Sequence, residues 1–186
     1  MIPEAISQQA RDVFHMHRHA GHEQHHQSRR ALLLAGMLML LGGCTARTTT
    51  MSQSELTDLG TRYAAAWSSQ NPAGLAAFYA EGGSLKVNAG DPALGRAAIA
   101  AKAQGFMTAF PDMAVKLDAI QGDGGHAVFR WIWTGTNTGP GGTGKPVRLK
   151  GYEEWTFNGD GLILESRGHY DEAEYQRQLQ SGVPSM

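Results

Sequence analysis

The spacing of the apolar residues changes close to Pro111, and this change limits the available folds more than any other feature of the sequence. Upstream, Leu56, Leu59, Tyr63 and Trp67 recur at helical spacing. Downstream, apolar and polar residues alternate in segments bounded by Gly, Asp or Pro, namely 113–120, 126–136, 146–158 and 162–170. This order predicts an α+β domain in which helices cover one face of a strongly curved antiparallel sheet.

Capping signals place the helices more closely. Ser52 and Glu55 form a candidate capping box for the first helix. Asn71 followed by Pro72 predicts the start of a second helix, which we expect the pair Gly82-Gly83 to end. The other predicted elements are a short strand at 84–88, a third helix at 96–110 and a last helix at 171–179.

The N-terminal segment reads as an export signal. Two arginines precede the uncharged run Ala31–Leu41, which is too short to span a bilayer and has the length of a signal-peptide apolar region. The run ends in Leu41-Gly42-Gly43-Cys44, which resembles the lipobox of bacterial lipoproteins. We therefore expect a signal peptide at 1–43, lipidation of Cys44, a tether at 44–53, a folded domain at 54–180 and a tail at 181–186. The expected location is the bacterial cell envelope. The sequence does not distinguish between the general and the twin-arginine export route.

Two motifs are excluded by their context. The stretch "GPGGTGKP" (139–146) has the spacing of a phosphate-binding loop, but Pro146 stands where that loop needs Ser or Thr, and a strand follows instead of a helix. It reads as a glycine-rich connection between strands. The stretch "HEQHH" (22–26) matches a zinc-protease pattern but lies ahead of the signal-peptide apolar run. The formal net charge of −1 gives no electrostatic reason to expect nucleic acid.

Several motifs in order carry a resemblance to a known family: "FPDMAV" (110–115), "GTNTG" (135–139), "GGTGKPVRLKGYEEW" (141–155) and "GDGLILESRGHYDEAEYQRQL" (159–179). Together they resemble the SnoaL-like polyketide cyclase family of the nuclear transport factor two-like superfold. The resemblance implies a cone-shaped curved antiparallel sheet, with three helices over its concave face and a short C-terminal helix. It also implies a pocket for a small, largely apolar ligand, no metal and no cofactor, and a homodimer through the outer sheet face.

Candidate catalytic residues lie near the end of the last strand. Asp171 matches the acidic residue that serves as general acid and base in the family's cyclases, but Asp171 with Glu174 equally reads as the cap of the last helix. His169 is a candidate proton relay or a surface residue. Where family members often have Trp and His, this chain has Arg167 and Asn137, so Arg167 would favour an acidic ligand and Asn137 could bind a carbonyl.

Three further residues are candidates for ligand binding. Glu153 shares the predicted buried face of its strand, where a lone carboxylate needs a partner. We expect an ion pair with Arg167, or else a bulge that turns Glu153 to solvent. Tyr152 is a candidate orienting group, and Trp131 belongs to an aromatic stripe that is core, pocket wall or dimer surface.

The sequence therefore leaves two functions open. The first is an envelope-anchored, cofactor-free enzyme of the cyclase, isomerase or dehydratase type, which transfers a proton on a carbonyl compound. The second is a lipoprotein that binds a small apolar or acidic molecule, or a protein partner, without catalysis.

Overall fold

The structure, a computed structural model, describes residues 51–183 of the chain. The predicted signal peptide and the lipidation site Cys44 lie outside this part. Its elements, in chain order, are α1 (Gln53–Ser68), α2 (Pro72–Ala76), β1 (Tyr79–Val87), β2 (Ala93–Leu94), α3 (Gly95–Ala109), β3 (Ala114–Asp123), β4 (His126–Thr136), β5 (Pro146–Phe157), β6 (Ile163–Tyr170) and α4 (Glu172–Ser181). Within 51–183 no helix is both long and apolar enough to cross a membrane.

Helix α1 begins as its capping signal predicts. The Ser52 side chain accepts from the Glu55 backbone N–H, and the Glu55 carboxylate accepts from the Ser52 backbone N–H. This reciprocal pairing satisfies two of the free amides at the helix start. The buried face of the helix carries Tyr63 and Trp67, which the helical spacing places on the side that packs against the sheet.

The predicted end of the second helix is wrong. Asn71 caps α2 as expected, but the helix stops at Ala76, and β1 runs from Tyr79 through both Gly82 and Gly83. A Cβ atom at Gly83 would come within 2.8 Å of the Ile163 carbonyl oxygen. Gly83 therefore allows β1 to approach β6 closely, and the two glycines belong to a strand instead of ending a helix.

The sheet is curved and open. Within the described residues its order is β2-β1-β6-β5-β4-β3. Strands β3 to β6 form the predicted antiparallel meander, whereas β1 lies parallel to β6, a pairing that the sequence analysis did not predict. Register shifts in β1, in β3 and between β5 and β6 mark bulges, which bend and twist strands. Helices α1 and α3 cover the concave face, and α2 packs against α1 and α3.

The alternation along the strands decides which side chains face the helices. In β4 the inward stripe is Phe129, Trp131 and Trp133, all of them buried. The aromatic stripe is therefore core and pocket wall. Neighbouring residues in β5 and β6 point to the opposite face by the same alternation, and this places Tyr152 and Arg167 on the outer side of the sheet.

Candidate active site

The concave side of the sheet encloses a small apolar cavity. Its volume is about 60 Å³. An engineered protein cavity of about 150 Å³ holds benzene, so the present cavity suits a ligand with only a few non-hydrogen atoms. Its wall consists of Trp67, Leu85, Val87, Phe106, Met113, Val115, Trp131, Trp133, Glu153, Gly168 and Tyr170. Of the residues predicted to bind a ligand, Trp131 and Glu153 thus lie at the cavity.

Glu153 is the only ionisable carboxyl group in the described wall of this cavity. The residue is 6% exposed, which confirms the prediction of a buried face. Strand β5 places it opposite Phe129 of β4 and Gly168 of β6. Because Gly168 has no side chain, the carboxyl group has open space on one side.

Three donors converge on a single oxygen of this carboxyl group. The Ser166 hydroxyl donates to Glu153 Oε2 at 2.6 Å, the Tyr63 hydroxyl at 2.9 Å and the Trp155 indole N–H at 3.0 Å. The Tyr63 proton points at Glu153, so the 2.6 Å contact between the Tyr63 and Tyr79 hydroxyls has Tyr79 as its donor. The network thus runs from Tyr79 through Tyr63 to Glu153.

The other oxygen, Oε1, accepts none of these hydrogen bonds from residues 51–183. Since Glu153 forms part of the cavity wall, Oε1 is the oxygen left for a ligand. A proton on the carboxyl group also belongs on Oε1, because Oε2 is already occupied by donors. The network therefore fixes Oε2 of the carboxyl group and leaves Oε1 without a donor from the described residues.

Burial raises the pKa of Glu153 above its ordinary value, and the hydrogen bonds from Ser166, Trp155 and Tyr63 only partly oppose this shift. Desolvation penalises the charged form, whereas donors stabilise it. Burial and the nearby Glu153 charge also raise the pKa values of Tyr63 and Tyr79 well above their ordinary range. Both tyrosines therefore stay protonated and remain donors at neutral pH.

The raised pKa of Glu153 predicts how stability depends on pH. The folded state binds this proton more tightly than the unfolded state, so the free energy of unfolding falls as pH rises from about 4.3 through the folded-state pKa. We expect wild type to lose stability relative to Glu153→Gln over this window, by about 1.4 kcal/mol for each unit of pKa shift. Urea denaturation of both proteins between pH 4 and pH 8 measures the difference. Parallel stabilities across the range, or a relative gain by wild type, contradict the buried proton.

The residues predicted near the end of the last strand do not reach the cavity. Asp171 is exposed, and its side chain accepts from the Glu174 backbone N–H at 2.9 Å, so the cap interpretation is confirmed. His169 lies on the outer face, stacked on Tyr152 with ring centroids 4.8 Å apart. Its Nε2 is 3.4 Å from Glu154 Oε2 without hydrogen-bond geometry. Neither Asp171 nor His169 therefore forms part of the cavity wall.

The prediction that Glu153 pairs with Arg167 is also wrong. Arg167 is exposed on the outer face and pairs with Glu165 at 2.9 Å, so the predicted ion pair with Glu153 does not form. The alternative prediction, a bulge that turns Glu153 to solvent, is wrong as well, because Glu153 is buried. The bulge occurs at Leu164, which has no partner between the pairs Phe157–Ile163 and Thr156–Glu165.

Asn137 organises the loop between β4 and β5. Its side-chain N–H donates to the Ala109 carbonyl at 3.2 Å, and its side-chain oxygen accepts from the Thr143 N–H at 2.7 Å. These bonds tie the glycine-rich loop to the end of α3. Asn137 does not belong to the cavity wall, so the structure does not support its predicted role in binding the carbonyl group of a ligand.

Sequence reasoning missed the donors that hold Glu153. Tyr63 lies on α1 and Tyr79 at the start of β1, and their hydroxyl groups meet only in the tertiary structure. The available signal was general: a buried tyrosine hydroxyl needs a hydrogen-bond partner, and so does a buried carboxylate. Within residues 51–183, no group of three or more His, Cys, Asp or Glu side chains is placed so that it could hold a metal ion.

The curved, open sheet with helices over its concave face is a fold of the nuclear transport factor two-like type. The chain belongs to the SnoaL-like domain family, whose family model matches residues 61–166. No curated protein matches the chain.

Solved structures share the fold at low sequence identity. One is a hypothetical protein with a ketosteroid isomerase-like fold from Catenulispora acidiphila, in complex with trimethylamine; it is 19% identical, with a TM-score of 0.60 over 72% of this chain and 100% of that chain. TsrD from Streptomyces laurentii is 20% identical, with a TM-score of 0.61 over 69% of this chain and 97% of its own. A Jannaschia protein assigned as a SnoaL-like polyketide cyclase is 17% identical, with a TM-score of 0.56 over 72% of this chain and 99% of its own.

Proposed function

We propose that this protein is a cofactor-independent enzyme of the cyclase or isomerase type, which moves a proton on the carbon atom beside a carbonyl group, with Glu153 as acid and base. The observation that carries the proposal is the carboxyl group of Glu153, buried at an apolar cavity with Oε2 held by three donors and Oε1 left for a ligand. Asp171, the catalytic candidate from the family resemblance, is replaced in this role by Glu153.

The proposed step moves a single proton. Glu153 Oε1 takes a proton from the carbon beside the carbonyl, so a C–H bond breaks and an O–H bond forms. The electron pair moves into the carbonyl group to give an enolate oxygen. The same carboxyl group then returns the proton to carbon or to oxygen. A raised pKa favours this chemistry, because a carboxylate that binds its proton more tightly is a stronger base near neutral pH.

Cavity size supports a small ligand. The volume of about 60 Å³ leaves room for a molecule of few atoms unless the wall moves. The Catenulispora protein of similar fold holds trimethylamine, which is a molecule of this size. A larger polyketide would require the aromatic wall to open.

Exchange of acetone protons for deuterium tests the proposal. Proton NMR of acetone in D₂O with the full chain is expected to show exchange faster than in buffer alone and saturable in acetone. The second candidate function, binding without catalysis, predicts that acetone binds while its exchange rate stays at the level of buffer. That result would overturn the enzymatic proposal.

Membrane anchoring is a separate proposal that rests on the sequence alone. The apolar run Ala31–Leu41 followed by Cys44 supports cleavage before Cys44 and its lipidation in the bacterial envelope. Intact mass measurement of the membrane fraction is expected to show a lipid mass that Cys44→Ser lacks. Unmodified Cys44 in that fraction contradicts the proposal. A homodimer through the outer sheet face stays a prediction of the family resemblance.

A further inference from the structure

The outer face of the sheet concentrates positive charge. Six exposed cations lie on this face, at least one on each of β1, β3, β4, β5 and β6, and we call them the cationic face: Lys86, Lys116, Arg130, Arg148, Lys150 and Arg167. They are six of the eleven Lys and Arg residues at 51–183. Only four of the fourteen Asp and Glu residues of this part share the face, namely Asp118, Asp123, Glu154 and Glu165. The rest of the domain is therefore acidic, and the charge is divided between two sides of the molecule.

Neighbours in the strands fix the direction of these cations. Leu85 and Val87, on either side of Lys86, form part of the cavity wall, so Lys86 points to the opposite face. Each of the other five cations likewise follows a residue that is buried or lies in the cavity wall. The cationic face is therefore the outer face, away from the helices α1 and α3.

Ion pairs within the domain leave most of this charge uncompensated. Arg167 pairs with Glu165 at 2.9 Å, and Lys150 Nζ lies 4.0 Å from Asp118. The other four cations of the face take part in no salt bridge within 51–183. Lys86 also lies directly opposite Arg167 in the register, and like charges in this position destabilise a sheet. A negatively charged partner would offset this cost.

The spread of the cations indicates an extended partner. Five adjacent strands about 4.8 Å apart cover about 19 Å, so a single small anion reaches only part of the cationic face. A second copy of the chain is a poor match, because a two-fold axis would bring two cationic faces together. A bilayer surface with anionic phospholipids presents negative charge over the required area.

We propose that the cationic face binds the anionic phospholipid surface of the membrane that holds the lipid anchor. The choice of a bilayer as partner rests on the proposed anchoring at Cys44, whereas the charge distribution does not depend on it. Eight residues separate Cys44 from the start of α1, and they span about 30 Å at most when extended. The anchor would thus keep the domain close to the bilayer, where each Lys or Arg adds to the attraction.

A pair of labelled variants tests which side of the domain approaches the bilayer. The full chain has a single cysteine, so Cys44→Ser allows one new labelling site. Ala119→Cys places a fluorophore on the outer face opposite Arg130, and Ala65→Cys places it on the exposed side of α1. Vesicles of phosphatidylglycerol and phosphatidylcholine with nitroxide-labelled headgroups should quench the label at position 119 several times more strongly than the label at position 65.

The preference should depend on charge. We expect it to disappear with vesicles of phosphatidylcholine alone, and in about 1 M salt, where charges are screened beyond about 3 Å. Equal quenching at the two positions on anionic vesicles, or stronger quenching at position 65, overturns the proposal.

Two double variants test the contribution of individual cations in the same Cys44→Ser chain. Lys86→Gln with Lys116→Gln removes two charges from the cationic face, and Arg62→Gln with Arg177→Gln removes two from α1 and α4. The first pair should weaken binding to the anionic vesicles about 30-fold, which is about fivefold for each charge. The second pair should bind as the parent chain does. Equal losses in both double variants would show an effect of net charge alone and overturn the proposal.

The vesicle experiments separate this inference from the anchoring proposal, because they use a chain without the lipid. If position 119 is preferentially quenched but intact mass measurement finds no lipid on Cys44, the inference stands and the anchoring proposal fails. If Cys44 is lipidated but quenching is equal, only the inference fails. A change of oligomeric state in Lys86→Gln with Lys116→Gln, at unchanged vesicle binding, would assign the face to a second copy and also overturn the inference. Analytical ultracentrifugation measures that state.

Discussion

Replacing Glu153 by glutamine is expected to slow the exchange of acetone protons by about 10²- to 10⁴-fold, the usual contribution of a general acid or base. Glutamine has nearly the same shape and keeps an oxygen that can accept from Ser166, Tyr63 and Trp155. Its amide cannot take a proton from carbon. The rate should therefore fall while the fold and the affinity for acetone persist, as followed by proton NMR and by circular dichroism.

Asp171→Asn is the matched control for this experiment. Asparagine is as good an N-cap as aspartate, so the hydrogen bond to the Glu174 N–H and the start of α4 survive the change. Both substitutions replace one carboxylate by its amide, but only Glu153 lies at the cavity. Loss of exchange in Asp171→Asn with full exchange in Glu153→Gln would restore Asp171 as the catalytic residue.

Replacing Gly168 by alanine is expected to weaken acetone binding about 5- to 150-fold while the protein stays folded. The new methyl group would lie 3.6 Å from Glu153 Cγ and 3.5 Å from the Lys86 carbonyl oxygen, which are ordinary contacts. The folded chain therefore accommodates it, but the methyl group takes up space in the cavity beside the carboxyl group. When acetone is bound, the ligand and the new methyl group crowd the same space. Overpacking of this kind costs about 1–3 kcal/mol, which corresponds to the stated loss of affinity.

Gly105→Ala controls for the change from glycine to alanine itself. Gly105 is exposed on α3, and a Cβ atom there meets nothing within 4 Å. Calorimetric titration with acetone should give wild-type affinity for Gly105→Ala and weaker binding for Gly168→Ala. Equal affinity in wild type and Gly168→Ala would show that the ligand does not occupy the space beside Glu153.

Most of the fold follows from local patterns in the sequence. The helical spacing of α1, the capping residues Ser52 and Asn71, and the alternation in β3 to β6 each act within a few residues, so they can be read without knowledge of the tertiary structure. The parallel pairing of β1 with β6 depends on contacts between distant segments. Such a pairing leaves no local pattern, which explains why Gly82 and Gly83 suggested a helix end.

The site was less predictable for the same reason. Alternation correctly places Glu153 on a buried face, but its partners depend on a bulge at Leu164 and on the crossing of α1 over the sheet. The bulge shifts the register of β6, so Gly168 lies opposite Glu153 and Arg167 points away. The sequence cannot separate the two roles of Asp171, because an N-cap and a catalytic acid use the same residue type and differ only in the surroundings of the side chain.

The central claim is that Glu153 carries a titrating proton in an apolar cavity. The most direct test is a pH titration of the Glu153 side-chain carboxyl carbon by ¹³C NMR, with Glu153→Gln to assign its signal. We expect a midpoint above the ordinary glutamate value of about 4.3, because burial raises the pKa of Glu153. A midpoint at or below that value would contradict it, because Glu153 would then be no stronger a base than a glutamate on the protein surface.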